Sequence, residues 1–255
     1  MNALKKLYDS KESRFAVLWI VLYCLLMIPI RGQFGDESVW TPVALLAIAV
    51  AATAFIRKYR LEAKYGLDRM PRNAGRCWYF IPLIVLTTGN LWGGFGMQYR
   101  GLAQLWGTLS MLLVGYVEEV IFRGFLFKAM LRENGVKPAV IVSAVTFGIG
   151  HLVNLLTGQT SLQSVVQVFF AVAWGFIFTM VFFKCGSLWP CIIAHALLDV
   201  FSKWNASNAG PLWDWIYIMA TIVVAIAYCP WLARLETPAN NREGEARDGT
   251  DLSRH

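Results

Sequence analysis

The sequence predicts an all-α polytopic membrane protein of about eight transmembrane helices, with both termini on the inner side of the membrane. Of its 255 residues, 57% are hydrophobic and 15% are charged. Globular domains carry about 25% charged residues, so this chain lacks the residues for an ordinary water-facing surface. Its apolar residues also form long blocks, and a helix needs about 20 apolar residues to cross a bilayer core about 30 Å thick.

The apolar blocks each give one expected span. They cover residues 15–30, 40–56, 77–94, 105–127, 138–156, 164–183, 187–203 and 212–233. The block 187–203 is the shortest for a span, and it begins beside a proline, a residue that the first turn of a helix tolerates. We therefore expect one membrane-embedded domain over residues 1–235, and a polar, disordered cytoplasmic tail over residues 236–255.

The distribution of Lys and Arg predicts the orientation. With the N-terminus inside, 19 of the 23 cations fall in inner segments. The outer loops hold only Arg31, Arg100 and Lys203, and Arg123 lies within a span. Because Lys and Arg are enriched in cytoplasmic loops, this split predicts that both termini lie inside and that the number of spans is even.

The net charge of +7 does not indicate a nucleic-acid partner, because the cations lie between apolar blocks and not on one basic surface. The expected environment is the lipid bilayer. Five cysteines lie within or at the ends of apolar blocks, and no two form a Cys-x-x-Cys pair: Cys24, Cys77, Cys185, Cys191 and Cys229. We therefore expect inert thiols and neither a disulfide framework nor a zinc ribbon.

A small set of ionisable residues lies inside the apolar blocks: Glu118, Glu119, Arg123, His151, His195 and Asp199. Such groups are costly within a membrane, so each is a candidate for function. Glu119 and Arg123 are four positions apart and share a helix face, which predicts a structural ion pair. The same spacing relates His195 to Asp199, and Phe147 to His151.

The four remaining ionisable groups are expected to meet at one depth. At a rise of about 1.5 Å per residue, Glu118, His151 and the pair His195 with Asp199 all reach a layer near the middle of the hydrocarbon. Glu118 is rotated by about 100° from Glu119, so we expect the two carboxylates to point in different directions. Glu118 would then face a cavity while Glu119 pairs with the arginine.

These residues leave two kinds of site open. Two histidines with a glutamate or an aspartate are a plausible zinc set, with candidates Glu118, His151, His195 and Asp199. The chain has no His-Glu-x-x-His sequence, so this metal signal is not specific. A metal-free glutamate site without any cofactor is the favoured interpretation, and zinc is the alternative. The structural interpretation is that these residues form hydrogen bonds and ion pairs that only support the fold.

At these residues the chain resembles the CAAX-protease and bacteriocin-processing (CPBP) family, which includes the type II CAAX prenyl endopeptidases. Three motifs carry the resemblance: Glu118-Glu119-Val-Ile-Phe-Arg123, Phe147-Gly-Ile-Gly-His151 and His195-Ala-Leu-Leu-Asp199. Each motif is short, but all three stand in the family's order over a motif core at residues 110–205. Asn154, just after the second motif, also resembles the family.

The resemblance implies an intramembrane endopeptidase that hydrolyses peptide bonds. By this likeness Glu118 and His151 activate a water molecule, and His195 with Asp199 stabilises the oxyanion. Glu119 and Arg123 fix the helix, with Phe147 and Asn154 in support. Some relatives have Asn where this chain has Asp199, and an ionised carboxylate would repel an oxyanion. Asp199 is therefore either protonated or acts on His195.

Two other classes of function compete with a protease: a non-catalytic membrane scaffold or immunity protein, and an ion- or proton-coupled transporter. We find no inverted repeat in the sequence, which disfavours the transporter. The implied substrate is a membrane-associated protein or peptide, lipidated in some family members. The short loops are typical of a bacterial plasma membrane protein.

Overall fold

The computed structural model describes residues 3–71, 79–153, 161–205 and 211–237, without the side chains of residues 161–163 and 211. These residues fold into helices joined by turns and short loops. The helices are α1 Ala3–Ser10, α2 Glu12–Phe34, α3 Trp40–Lys58, α4 Ile81–Thr87, α5 Leu102–Glu119, α6 Lys128–Asn134, α7 Val136–Gly150, α8 Ser161–Cys185, α9 Trp189–Ser202 and α10 Pro211–Ala233.

Six helices in the described residues are long and apolar enough to cross a membrane: Glu12–Phe34, Trp40–Lys58, Leu102–Asn134, Val136–Val153, Ser164–Cys185 and Leu212–Ala233. The chain is therefore an integral membrane protein of helical type. The expected count of eight is not confirmed. The block 77–94 yields only the seven-residue α4 and a 3₁₀ turn. The 14 residues of α9 span about 21 Å, less than the hydrocarbon core.

The helix that carries the first motif changes its winding at that motif. Leu102–Asn134 is continuous, but Val120–Phe127 is a π-helix between α5 and α6. Such π segments are rare and occur frequently at functional sites. The neighbouring α7 supports this one, because the Ser143 hydroxyl donates a hydrogen bond of 3.1 Å to the Phe122 carbonyl oxygen.

Two glycines let helices of the motif region approach their neighbours closely. A Cβ atom at Gly115 of α5 would lie 2.5 Å from the backbone nitrogen of Ala196 in α9. A Cβ atom at Gly148 of α7 would lie 2.2 Å from a methyl group of Val172 in α8. Small residues permit such contacts between membrane helices. These packings join α5 to α9 and α7 to α8, and α7 also contacts the π segment of the helix that carries the first motif.

Candidate active site

Glu119 and Arg123 form a fully buried ion pair within the motif helix. Arg123 Nη1 donates a hydrogen bond of 2.8 Å to Glu119 Oε1, and both side chains are 0% exposed. The guanidinium carbon also lies 4.1 Å from the centroid of the Phe147 ring, a cation–π contact with the second motif. The arginine therefore joins α5 to α7.

The same glutamate also contacts the third motif. His195 Nδ1 lies 2.8 Å from Glu119 Oε1, and the imidazole is buried. Its other nitrogen, Nε2, lies 3.8 Å from Glu118 Oε2. As expected, Glu119 pairs with Arg123 and Glu118 lines cavities. The His195 ring lies between the two carboxylates, and each carboxylate reaches a different nitrogen.

Asp199 is the second acidic neighbour of His195 on its own helix. Asp199 Oδ2 lies 3.4 Å from His195 Nε2, one helical turn away. Its side chain is 26% exposed, whereas that of His195 is 4% exposed, so Asp199 borders open space while the imidazole is enclosed. Three carboxylates thus surround one imidazole, and Arg123 is bonded to the most deeply buried of the three.

Glu118 has a partner that the sequence did not indicate. The Tyr23 hydroxyl donates a hydrogen bond of 2.6 Å to Glu118 Oε1, and Tyr23 is 8% exposed. Tyr23 lies on α2, which carries none of the three motifs. In the sequence, a tyrosine inside an apolar block looks like an ordinary core residue. Its hydroxyl group is the only feature that indicates a hydrogen-bonding role.

His151 follows the last residue of α7, and its Nδ1 atom lies 3.0 Å from the Phe147 carbonyl oxygen. Phe147 separates the two histidines, with ring centroids 5.1 Å from His151 and 5.6 Å from His195. Phe178 of α8 stacks on the His195 ring at 5.3 Å, a contact that the sequence did not indicate. Asn154 lies outside the described residues.

Three cavities in the described part of the chain share His151. The largest has a volume of about 570 Å³, and His195, Asp199 and Phe147 also line it. A polar cavity of about 460 Å³ has Glu118 and Asp199 in its wall. A small cavity of about 50 Å³ lies beside Tyr23 and Glu118. The motif residues therefore surround space that a peptide and water could enter, within the range of volumes of ligand pockets.

An ion network lines part of the polar cavity. Arg31 Nε lies 2.7 Å from Asp36 Oδ1, and Lys203 Nζ lies 2.9 Å from Asp36 Oδ2. Burial alone would raise the pKa of Asp36, but the two cations outweigh it and lower the pKa to about 2. Asp36 in turn raises the pKa of Lys203 against the effect of burial.

The candidate zinc set is not assembled in this geometry. Among the described residues, no three His, Cys, Asp or Glu side chains converge as metal ligands. Zinc ligands lie at about 2.0–2.3 Å from the ion, with their other ring nitrogens held by hydrogen bonds. Here Nδ1 of His195 is taken by Glu119, Nε2 faces two carboxylates, and Nδ1 of His151 faces a carbonyl oxygen.

Comparison with known proteins gives one match. Residues 101–201 match the family model described as type II CAAX prenyl endopeptidase Rce1-like, which spans all three motifs. No curated protein matches the chain, and no solved structure does. The matched family is a protease family. Residues 101–201 of this integral membrane protein therefore form an Rce1-like domain of the CPBP family.

Proposed function

We propose that this protein is an intramembrane endopeptidase that hydrolyses peptide bonds of membrane-associated proteins or peptides. One observation carries the proposal: Glu118, His151 and Asp199 line a shared polar cavity beside His195, inside the Rce1-like domain. A scaffold needs no such cavity next to its buried charges. We assign roles to these residues from the general chemistry of peptide hydrolysis.

Glu118 is the proposed general base. The Tyr23 hydroxyl holds Glu118 Oε1, which leaves Oε2 to accept a proton from a water molecule in the cavity. The water oxygen then bonds to the peptide carbonyl carbon, and Glu118 passes the proton to the departing amine nitrogen. His151 lines the same cavity and completes the site of the attacking water. Its ring is the second group that can orient or deprotonate this water.

His195 is the proposed oxyanion donor. As an imidazolium it carries a proton on each nitrogen: Nδ1–H bonds Glu119, and Nε2 lies 3.4 Å from Asp199 Oδ2 in a ring that lines the largest cavity. The negative oxygen of the tetrahedral intermediate would accept from Nε2–H. In this proposal Asp199 stabilises the positive charge on the ring and need not touch the oxyanion itself.

We further propose a bacterial plasma membrane with both termini inside. The charge distribution favours this orientation with eight crossings, of which α4 and α9 are short. Six crossings would instead put the cations of residues 128–137 outside and Arg100 inside. The polar cavity is lined by Asp36, Glu37 and Lys203, which then lie toward the outer side. Water would therefore reach Glu118 from outside.

Labelling of single introduced cysteines in intact cells tests this orientation. A membrane-impermeant maleimide should label Arg100→Cys and spare Lys58→Cys, with the unmodified chain as the baseline for its native thiols. Both positions are exposed and lie outside the motifs. The opposite labelling pattern would reverse the orientation and place the polar cavity on the inner side.

The function is tested by a mass-spectrometric comparison of protein termini in host membranes. Cells with the wild type, Glu118→Gln and Glu62→Gln are compared at equal expression. Glu62 is a matched control, because it lies on the loop after α3 and lines none of the cavities that His151 borders. New termini with the wild type and Glu62→Gln, but not with Glu118→Gln, would support proteolysis and name the substrates. Identical termini in all three strains would contradict it.

A further inference from the structure

Two buried hydrogen-bond donors line the largest cavity without a partner in the described part of the protein. They are the indole N–H of Trp174 on α8 and the hydroxyl of Tyr217 on α10. The residues are 1% and 5% exposed. Neither group meets the geometry of a hydrogen bond to a described residue. Buried donors are almost always paired, so a spare pair in a cavity wall points to a ligand.

Packing holds both donors in fixed positions. The Tyr217 ring rests against Gly89, where a Cβ atom would lie 2.0 Å from the ring, and it contacts Phe170 at 5.1 Å. Trp174 stacks on Phe178 at 4.8 Å, and Phe178 in turn stacks on His195 at 5.3 Å. Neither donor can turn away to find a partner elsewhere without disturbing these contacts.

The stacking order also limits the distance of Trp174 from His195. One aromatic ring separates the two residues, so the centroids of the Trp174 and His195 rings lie at most about 10 Å apart. An extended peptide covers about 3.3 Å per residue. Trp174 therefore stands up to about three residues along a bound peptide from His195.

The charges in the cavity wall select the acceptor. Its lining holds two carboxylates, Asp199 and Asp214, against the single proposed imidazolium of His195, and no Lys or Arg of the described chain lines it. A carboxylate or a phosphate would be repelled there, whereas a neutral carbonyl oxygen has two lone pairs and can accept from both donors. We infer that Trp174 and Tyr217 form a substrate subsite that binds a backbone carbonyl oxygen up to about three residues from the scissile bond. This inference rests on the proposed endopeptidase function.

Binding to the full-length chain tests the subsite. The parent is Glu118→Gln in nanodiscs, so that the peptide is not consumed, and the probe is a fluorescein-labelled peptide ending in S-farnesyl-Cys-Val-Ile-Met. Fluorescence anisotropy should show that Tyr217→Phe and Trp174→Phe each raise Kd about three- to tenfold, the effect of one neutral hydrogen bond. Tyr228→Phe is the matched control, because its hydroxyl donates to the Tyr79 carbonyl oxygen outside this cavity.

Thermal stability separates a ligand-binding role from a structural one. Tyr217→Phe removes an unpaired buried hydroxyl, so its Tm should equal or exceed that of the parent. A second series of probes replaces one carbonyl oxygen at a time by sulfur. For most probes, the losses of binding free energy from the sulfur and from Tyr217→Phe should add. The probe for which they do not add carries its sulfur at the bound carbonyl.

Unchanged Kd values for Tyr217→Phe and Trp174→Phe would overturn the subsite, as would a fall in Tm without a change in Kd. Failure of the parent to bind the peptide would also overturn it, because backbone carbonyl groups occur in every peptide. If Tyr217→Phe weakens binding but the wild type cleaves nothing, the subsite stands and the endopeptidase proposal fails.

Discussion

His195 Nδ1 lies 2.8 Å from Glu119 Oε1, although the two residues are 76 positions apart. The same oxygen accepts the hydrogen bond from Arg123 Nη1. Glu119 therefore joins the positive charge of its own helix to the imidazole of α9, with all three side chains buried. The spacing of four residues in the sequence assigns Glu119 only to its ion pair with Arg123. In the structure Glu119 also positions His195, the proposed oxyanion donor.

Replacing Glu119 by Gln should destabilise the fold. The Arg123 charge would remain buried without its counter-ion, and breaking a buried pair in this way costs about 3–5 kcal/mol. Unfolding in detergent, followed by circular dichroism, measures the loss against Glu62→Gln. The double variant Glu119→Gln, Arg123→Met should recover part of it, because the uncompensated charge is gone. A stability of Glu119→Gln equal to that of the wild type would refute this account of the pair.

Two features could be predicted from the sequence: that the chain is a helical membrane protein, and which side chains are neighbours within each motif. Long apolar blocks identify membrane helices whatever their packing. A spacing of four places Arg123 beside Glu119, and Asp199 beside His195, on any helix. The helix rise alone also predicts that the three motifs lie at one depth in the membrane. In the structure, His195 lies between Glu118 and Glu119.

Contacts between helices could not be predicted. Tyr23 and Phe178 lie in apolar blocks where aromatic residues are common, and only tertiary packing selects them as neighbours of Glu118 and His195. The π segment Val120–Phe127 leaves no periodic signal in a uniformly apolar block. Composition alone does not give the ends of α9 either, whose 14 residues are fewer than the 17 of the apolar block 187–203.

Replacing Tyr23 by Phe should slow catalysis while leaving substrate binding unchanged. The hydroxyl orients Glu118 Oε1 through a hydrogen bond to a charged group, and such bonds contribute about 1.5–3 kcal/mol. We expect kcat to fall about tenfold to hundredfold with little change in KM. Tyr116→Phe is the control, because its hydroxyl pairs with Thr53. Equal kcat values for both variants would exclude a positioning role for Tyr23.

Replacing Gly115 by Val should separate the first and third motifs. A Cβ atom there would meet the backbone of Ala196, next to His195, so α9 must move away from α5. We expect loss of cleavage and a lower Tm. Gly124→Ala is the matched control, because the nearest atom to its Cβ would lie at 3.8 Å, an ordinary contact. Full activity of Gly115→Val would show that the close packing is not required.

Removal of metal ions should leave cleavage unchanged if Glu118 acts as proposed. The described residues do not bring three ligand side chains together. Purified protein treated with EDTA and with 1,10-phenanthroline is assayed before and after zinc is restored, and bound zinc is measured by inductively coupled plasma mass spectrometry. Activity that is lost on chelation and regained with zinc would favour the zinc alternative, with ligands drawn from Glu118, His151, His195 and Asp199.

The Asp36 network should stabilise the protein at neutral pH and weaken in acid. Its folded-state pKa of about 2 lies below the ordinary aspartate value, so its contribution is complete above about pH 4 and declines as the pH falls toward 2. A shift of this size corresponds to about 2 kcal/mol, since the side chain is 14% exposed and little screened.

Asp36→Asn should therefore lower Tm at pH 7, because Arg31 and Lys203 lose their shared counter-ion. The difference from the wild type should shrink between pH 4 and pH 2.5, where the wild-type carboxylate gains its proton in the unfolded state first. Differential scanning fluorimetry across this range measures the difference. Asp68→Asn is the control, because the carboxylate of the exposed Asp68 pairs with the half-buried Arg69 outside this network. A Tm difference that stays constant down to pH 2.5 would show that ionisation of Asp36 does not stabilise the protein.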